Sequence, residues 1–358
     1  MTGSDQPTNV PAEYAAALQK LSLGAAWTQI RNLTPQGRPM RHANAMSWRY
    51  ADARPKLIEA GQIVPIELAE RRVLALINPG VTPARLATTP SIFIGLQLIL
   101  PGESALAHRH TPAAARLVIE GMGGSTTVNG EKLPMEQGDL LLTPPHHWHE
   151  HRHEGTEPMI WMDILDHPVG IPLETSYLVD EEDLAGDSHR ANTAHSSEAM
   201  YLAPGLVPFR SPAVGPSRYP RLRFPWKRSK EALIGISERS TKRDPVHLMF
   251  VNPESGASLL ETMCFSMRML RPAEEVVVPR RSTSTVFQIL DGEGECIIDD
   301  RGFSWGQHDT IASPTFAQVT HRNASNRKPA FLLQVDDGPL QSKLGFYEED
   351  TAHRDLSA

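Results

Sequence analysis

Two cysteines, Cys264 and Cys296, are all that the 358 residues contain, and they form no CxxC motif. Their scarcity excludes a disulfide scaffold and a cysteine-ligated zinc site, and it predicts a reducing compartment. Positive charge is also short: 35 Lys and Arg face 42 Asp and Glu, giving a formal net charge of −7 and a pI near 6.1. That balance leaves no basic footprint for nucleic acid. No apolar run approaches the ~20 residues of a membrane-crossing helix. The opening MTGSDQPTNVPAEY lacks the basic and apolar regions of a secretory signal. Together these absences predict a soluble cytoplasmic protein with neither a nucleic-acid nor a membrane partner.

Aromatic residues make up only 6%, whereas proline is abundant at 30 residues. Pro134, Pro144, Pro145, Pro272, Pro279 and Pro314 fall between short apolar runs. Proline fits neither a helix interior nor a central strand. Many short strands joined by stiff turns, and so an all-β core, is the expectation.

Residues 12–23 (AEYAAALQKLSL) and 46–60 are rich in helix formers, and 66–72 continues in that style. From Val73 onward the pattern changes to short β runs: VLALIN, SIFIGLQLIL, ARLVIEG, TTVNG, DLLLTPP and MIWMDIL. Asn129-Gly130 signals a tight hairpin. Residues 172–225 are polar and proline-rich, as a linker would be, and 228–237 (RSKEALIGIS) reads as a short helix. A second β series follows, and it repeats the first. ALAHRHTPAAARLVIEGMG aligns without gaps to VVVPRRSTSTVFQILDGEG, and QGDLLLTPPHHWHEH to QHDTIASPTFAQVTH with a one-residue change of offset. Gly121 matches Gly292, Asp139 matches Asp309, and Pro144 matches Pro314. Two copies of one barrel follow.

The first copy holds His108-x-His110 and then the run HHWHEHRH, whose His149 comes 39 residues after His110. Histidines at i and i+2 of a strand share a face. Two imidazoles can therefore converge on one ion, and a third from another strand completes a facial set. Imidazole suits Fe, Zn, Cu and Ni, so the ligands alone do not choose the metal. The bland reading of HHWHEHRH, a solvated and weakly metal-binding surface run, loses force beside the upstream HxH. His146, His147 and His153 read as rim or surface residues, and His42, His189, His195 and His353 are assigned no role.

Gly102, His108-x-His110 and Gly121 resemble the first cupin motif; Gly138, Pro144 and His149 resemble the second. Ala114 and Ala115 stand where cupins usually carry a ligand glutamate, which points to a three-histidine site. Nearly the whole chain, through WRYADARPKL, ERRVLALINPG, GLQLILPGE, AHRHT, ARLVIEG, TPPHHWHEH and WMDILD, resembles the gentisate 1,2-dioxygenase family. That family includes salicylate and 1-hydroxy-2-naphthoate dioxygenases. The resemblance implies an all-β-dominated bicupin, two double-stranded β-helix (jelly-roll) barrels behind an N-terminal helical segment. Residues 1–72 would be that segment, 73–171 the catalytic barrel, 172–237 a linker with a short helix, and 238–358 a second barrel. The second barrel carries Pro279, Arg281 and Val319 at the ligand positions and is expected to be metal-free. The resemblance also implies Fe(II) on His108, His110 and His149, an aromatic 2-hydroxy acid and O2 as partners, and a homotetramer.

Within that frame the chain's own residues suggest further roles. Arg116 lies six residues after His110 between two apolar runs, placed to point inward and hold a substrate carboxylate. Arg72 is the second such candidate by resemblance, with Arg71 solvated. His151, two residues after His149, can serve as acid or base, or as structural support. Gln97 either binds a substrate oxygen or ties two strands together. Asp163 lies near the substrate pocket by resemblance, or orients a metal-bound histidine. Phe93 stands where relatives commonly carry Tyr or Trp, and GMGGST departs from the usual glycine–alanine–aromatic pattern. Both departures predict a more apolar wall, suited to a ring without a 5-hydroxyl or with a nitro, halogen or fused-ring substituent. Two other functions remain open from sequence: a metal-dependent isomerase or hydrolase of a keto acid, and a non-catalytic ligand-binding bicupin.

Overall fold

The computed structural model describes residues 10–65, 72–81, 86–180, 197–209, 215–241 and 244–350. The expected helical stretch at 66–71, and His189, His195 and His353, lie outside the described residues. Residues Met1–His42 form one unit, with helices α1 (Ala12–Lys20) and α2 (Ile30–Leu33). Everything from Ala43 onward forms the other. Among the described residues, no helix is long and apolar enough to cross a membrane.

The second unit opens with β1 (Met46–Trp48), where helix was expected; α3 (Tyr50–Ile63) follows it. The first barrel is built from β2 (Val73–Ala75), β3 (Phe93–Ile99), β4 (Ser104–His110), β5 (Ala114–Glu120), β6 (Gly124–Val128), β7 (Glu131–Met135), β8 (Leu140–Thr143), β9 (His149–His153) and β10 (Met159–Leu165). After α4 (His167–Gly170) come β11 (Leu178–Asp180), α5 (Ser197–Met200), β12 (Arg223–Phe224) and α6 (Trp226–Arg239). The second barrel comprises β13 (Val246–Met249), β14 (Cys264–Leu270), β15 (Glu275–Val278), β16 (Thr285–Asp291), β17 (Gly294–Ile298), β18 (Arg301–Trp305), β19 (Thr310–Ser313), β20 (Val319–Asn323) and β21 (Ala330–Asp336), with α7 (Gly338–Leu344) behind it.

Each barrel is a pair of facing antiparallel sheets. The orders are β12-β8-β5-β10-β3-β2 and β11-β4-β9-β6-β7 in the first barrel, and β1-β19-β16-β21-β14-β13 and β15-β20-β17-β18 in the second. Alternation gives each large sheet an apolar outer face, and those two faces pack on each other. Ile94, Leu96, Leu98, Leu117 and Met162 of the first barrel share one core with Phe265, Met267, Met269, Leu333 and Val335 of the second. A separate core, including Phe287, Ile289, Ile298 and Leu332, lies within the second barrel.

The internal repeat extends to backbone strain. Gly121 and Gly292 both sit at φ 102°, and an added Cβ would fall 2.7 Å from Met159 Cα or 2.6 Å from Ala330 Cβ. Asn129 and Asp299 adopt φ 45° and 54°, and His146 and Phe316 adopt 62° and 53°. Left-handed backbone is costly outside glycine, so its recurrence at matched positions marks one architecture used twice.

The barrels exchange their leading strands. β1 precedes the first barrel but pairs with β19 of the second, while β12, inside the segment read as linker, pairs with β8 of the first. Each exchange ends on the same lock. The Tyr50 amide donates to Asp309 Oδ1 at 2.8 Å, and the Trp226 amide donates to Asp139 Oδ1 at 2.9 Å. β11, from the same expected linker, pairs with β4 beside the histidines. The 46–60 stretch fails as a helix at its start because Met46–Trp48 is drawn into a ladder whose partner lies some 260 residues away, and tertiary pairing overrides propensity there.

Candidate metal centre

His108 and His110 come from β4, and His149 comes from its neighbour in the same sheet, β9. The β4–β9 register shifts between Ala105 and His108, a bulge that sets His108 opposite His149. Such bulges re-aim side chains beside functional sites. The three imidazoles each offer one ring nitrogen within 4.8 Å of the others. Their ring centroids are 4.2 to 5.9 Å apart.

Each ring is held by the same local device. His108 Nδ1 donates to the Leu106 carbonyl at 3.0 Å, His110 Nδ1 to Pro112 at 2.8 Å, and His149 Nδ1 to His147 at 2.9 Å. A carbonyl only accepts, so each Nδ1 carries the proton and each Nε2 presents a lone pair. Burial first, then the charge of Arg116, pushes His110 down to about 4 and His149 well below the usual histidine range. His149 Nε2 is buried without a hydrogen-bond partner. Neutral imidazoles aimed at one point, one of them with an orphaned buried acceptor, are the donor set a divalent transition metal needs. The residues fit a metal.

Inward-facing residues of the large sheet line the space beside the cluster. Arg116, Asp163, Gly95 and Leu141 face one another across β5, β10, β3 and β8. Arg116 Nε lies 3.0 Å from Asp163 Oδ1, and its guanidinium also donates to Thr143. Asp163 further accepts the Trp161 indole N–H at 3.1 Å. Burial outweighs these partners and pushes the Asp163 carboxyl up to about 6. Gln97 sits opposite Trp161 on the same face. Phe93 covers Gly95, where an added Cβ would meet its ring at 2.8 Å, and packs on His167 at 4.8 Å.

His151 is fully buried between the His149 ring at 5.9 Å and the Trp161 ring at 5.1 Å. Thr126 Oγ1 lies 2.8 Å from its Nδ1 and donates its own proton to Met135 Sδ. His151 Nε2 is buried without a hydrogen-bond partner.

The structure also places Arg72 and His153. Arg72 is buried, but NH1 and NH2 lie 2.6 and 3.0 Å from Glu103, and NH2 also donates to Val64. Glu103 occupies the two terminal nitrogens, and Nε is buried without a hydrogen-bond partner. His153 is no surface residue. It is buried on the inward face of β9 and bonds the Glu157 carbonyl through Nε2 at 2.6 Å. Thr126, Thr143 and Trp161 were not singled out from sequence; the Asn129-Gly130 hairpin sets Thr126 opposite Leu133, whereas the β6–β9 pairing that sets it opposite His151 is long-range and has no local signal.

A double jelly roll with three convergent histidines in one barrel defines a bicupin with a metal centre in its N-terminal half. Residues 95–165 match the cupin domain family. The chain is 38% identical to a gentisate 1,2-dioxygenase of Ralstonia sp over 95% of its length and 94% of the relative's. It is 32% identical to a 5-aminosalicylate 1,2-dioxygenase of Comamonas sp, over 84% of this chain and 80% of that one. Salicylate 1,2-dioxygenase of Pseudoaminobacter salicylatoxidans, solved with gentisate, superposes with a TM-score of 0.86 at 25% identity, covering 98% of this chain and 97% of that one. The chain belongs to the gentisate 1,2-dioxygenase family of ring-cleaving dioxygenases.

Proposed function

We propose that the protein binds Fe(II) through His108, His110 and His149 and uses O2 to open the ring of a 2-hydroxybenzoate. Cleavage falls between the carbons bearing the carboxyl and the hydroxyl, and both oxygen atoms enter the product. The convergence of three Nε2 lone pairs carries this reading. Zinc has no redox chemistry, and the family's oxygen chemistry requires a metal that has.

Held by His108, His110 and His149, Fe(II) would supply the redox chemistry linking substrate to O2. The chain's own residues do the rest. Arg116, fixed by Asp163 and Thr143, orients the substrate carboxylate. Its charge bears on His110, His149 and His151, as it must if it faces their lumen. His151 accepts the phenolic proton at Nε2, with Thr126 holding the ring. Gln97 reaches a substrate oxygen from β3, and Phe93 gives an apolar wall at the ring's far side. That wall favours salicylates lacking the 5-hydroxyl of gentisate or carrying a nitro, halogen or fused-ring group.

Oxygen uptake by anaerobically Fe(II)-loaded protein tests this with gentisate, salicylate, 5-substituted salicylates and 1-hydroxy-2-naphthoate. The expected result is one O2 per substrate, abolished in His108→Ala. Bound iron without uptake on any of them refutes it, and a strong preference for gentisate refutes the apolar-wall reading alone.

A further inference from the structure

The second barrel lacks the three histidines, yet its interior is not apolar. The registers β3–β10 and β14–β21 superpose Trp161 on Leu332 and Asp163 on Gln334, which sets Arg268 at the place of Gln97 and Ser266 at that of Gly95. His321 stands in β20 where His151 stands in β9. The second lumen thus has an arginine where the first has an amide, and an amide where the first has a carboxylate.

That exchange leaves Arg268 buried without an ion-pair partner: Glu274, whose charge bears on it, is paired with Arg271 at 2.8 Å. Arg268 is 6% exposed, its Nε has no partner, and NH2 meets only His247 Nδ1, at 3.1 Å. His247 is an acceptor there and passes its own proton to Ser266 Oγ at 2.8 Å, so it adds no negative charge. Arg281, the other nearby cation, faces Glu349, whose Oε2 lies 3.6 Å from Nε, and the charge of buried Asp336, whose oxygens accept from Gln334 Nε2 at 3.2 Å and from the Gly338 amide at 3.0 Å. Burial, then repulsion from Arg281, pushes the Arg268 guanidinium down to about 10. Gln334 Oε1 is an orphaned acceptor on the large sheet, and on the facing sheet His321 is fully buried with both ring nitrogens unpartnered. Its ring lies edge-on to Phe287 at 4.5 Å. Unpaired buried charges cost several kcal/mol, so they are retained where something neutralises them.

We propose that the second barrel holds a small organic monocarboxylate between Arg268 and His321. A single uncompensated guanidinium beside neutral imidazoles matches one negative charge, not two, and the free Nε edge suits a planar carboxylate. His321 donates one N–H to the carboxylate. Its other nitrogen and Gln334 Oε1 are left to accept from a water or from a hydroxyl on the same molecule. This site is independent of the reaction proposed above.

The test uses metal-depleted full-length protein. Thermal unfolding is followed with acetate and benzoate against chloride at matched ionic strength, in wild type, Arg268→Met and His321→Gln. Acetate enters whatever the width of the lumen, and 4-bromobenzoate soaked into crystals locates the larger ligand by bromine scattering. The expected result is a carboxylate-dependent rise in Tm that each substitution weakens at least tenfold in apparent Kd, with bromine in the second barrel. If Arg268→Met does not fold, His321→Gln decides. Equal carboxylate responses in all three proteins, with only water at Arg268 in the crystals, overturn the proposal.

Discussion

Arg116 and Asp163 face each other on neighbouring strands inside the first barrel, 3.0 Å apart, and both are almost wholly buried. Removing either partner leaves the other in a low-dielectric interior, but the consequences differ. A lone Asp163 can take up a proton, and its carboxyl is already raised to about 6. A lone Arg116 has no such escape. Asp163→Ala is therefore expected to cost about 3–5 kcal/mol of stability, and Arg116→Met clearly less. Urea unfolding of the two variants checks the order, and equal losses would contradict it.

Arg116→Met should nevertheless lower kcat/KM by about 10–100-fold, the worth of a charge-assisted hydrogen bond of roughly 1.5–3 kcal/mol. Iron content, measured by atomic absorption, should not change. Loss of iron in step with activity would mean that Arg116 supports the histidines and not the substrate.

Thr126 touches neither the proposed ligands nor the substrate; it positions His151 through one 2.8 Å hydrogen bond. Thr126→Val keeps the shape and removes the hydrogen bond, at a cost of about 1 kcal/mol. A fall in kcat of roughly fivefold, with KM and iron content unchanged and recovery in Thr126→Ser, is the expected pattern. A change confined to KM would contradict it.

The exchanged strands predict one unfolding unit for the two barrels. Arg223 of β12 holds Asp139 at 2.6 and 2.7 Å and Glu198 at 2.9 Å. Arg223→Ala strands a buried carboxylate and should cost about 3–5 kcal/mol. Calorimetry should show a single transition that shifts as a whole. Two separated transitions in the variant would mean that the barrels are held together by their shared core alone.

Acid should weaken the second barrel through its buried histidines. Burial, then the nearby Arg268, holds His247 and His321 near 3, against about 6.5 when unfolded. The folded chain then binds fewer protons, so this stability is present above pH 6.5 and is lost as pH falls towards 3. The slope is at most about 1.4 kcal/mol per pH unit for each group. His321→Gln should flatten the pH dependence of Tm in that window; an unchanged slope would show that His321 charges without cost.

Much of this was legible in the sequence because its signals were local. HxH at period two, a proline-bounded run ending in His149 and an internal repeat with a single one-residue change of offset brought out the barrels and the convergent histidines. Pairing over long distances was not legible. Met46–Trp48 reads as helix until β19 captures it, and the pairing of Arg72 with Glu103, 31 residues on, has no local signal. His153 was misread for another reason: surrounded by polar letters, it looks solvated, although the parity that turns His149 and His151 inward turns it inward too.

The central claim is that the ring opens by insertion of both atoms of one O2. Reaction of Fe(II)-loaded protein with salicylate under ¹⁸O₂, followed by mass spectrometry of the product, tests it most directly. Two ¹⁸O atoms in a ring-opened acid are predicted. A product without ¹⁸O, or one isomeric with the substrate, would contradict the account and assign the histidine centre to hydrolysis or isomerisation.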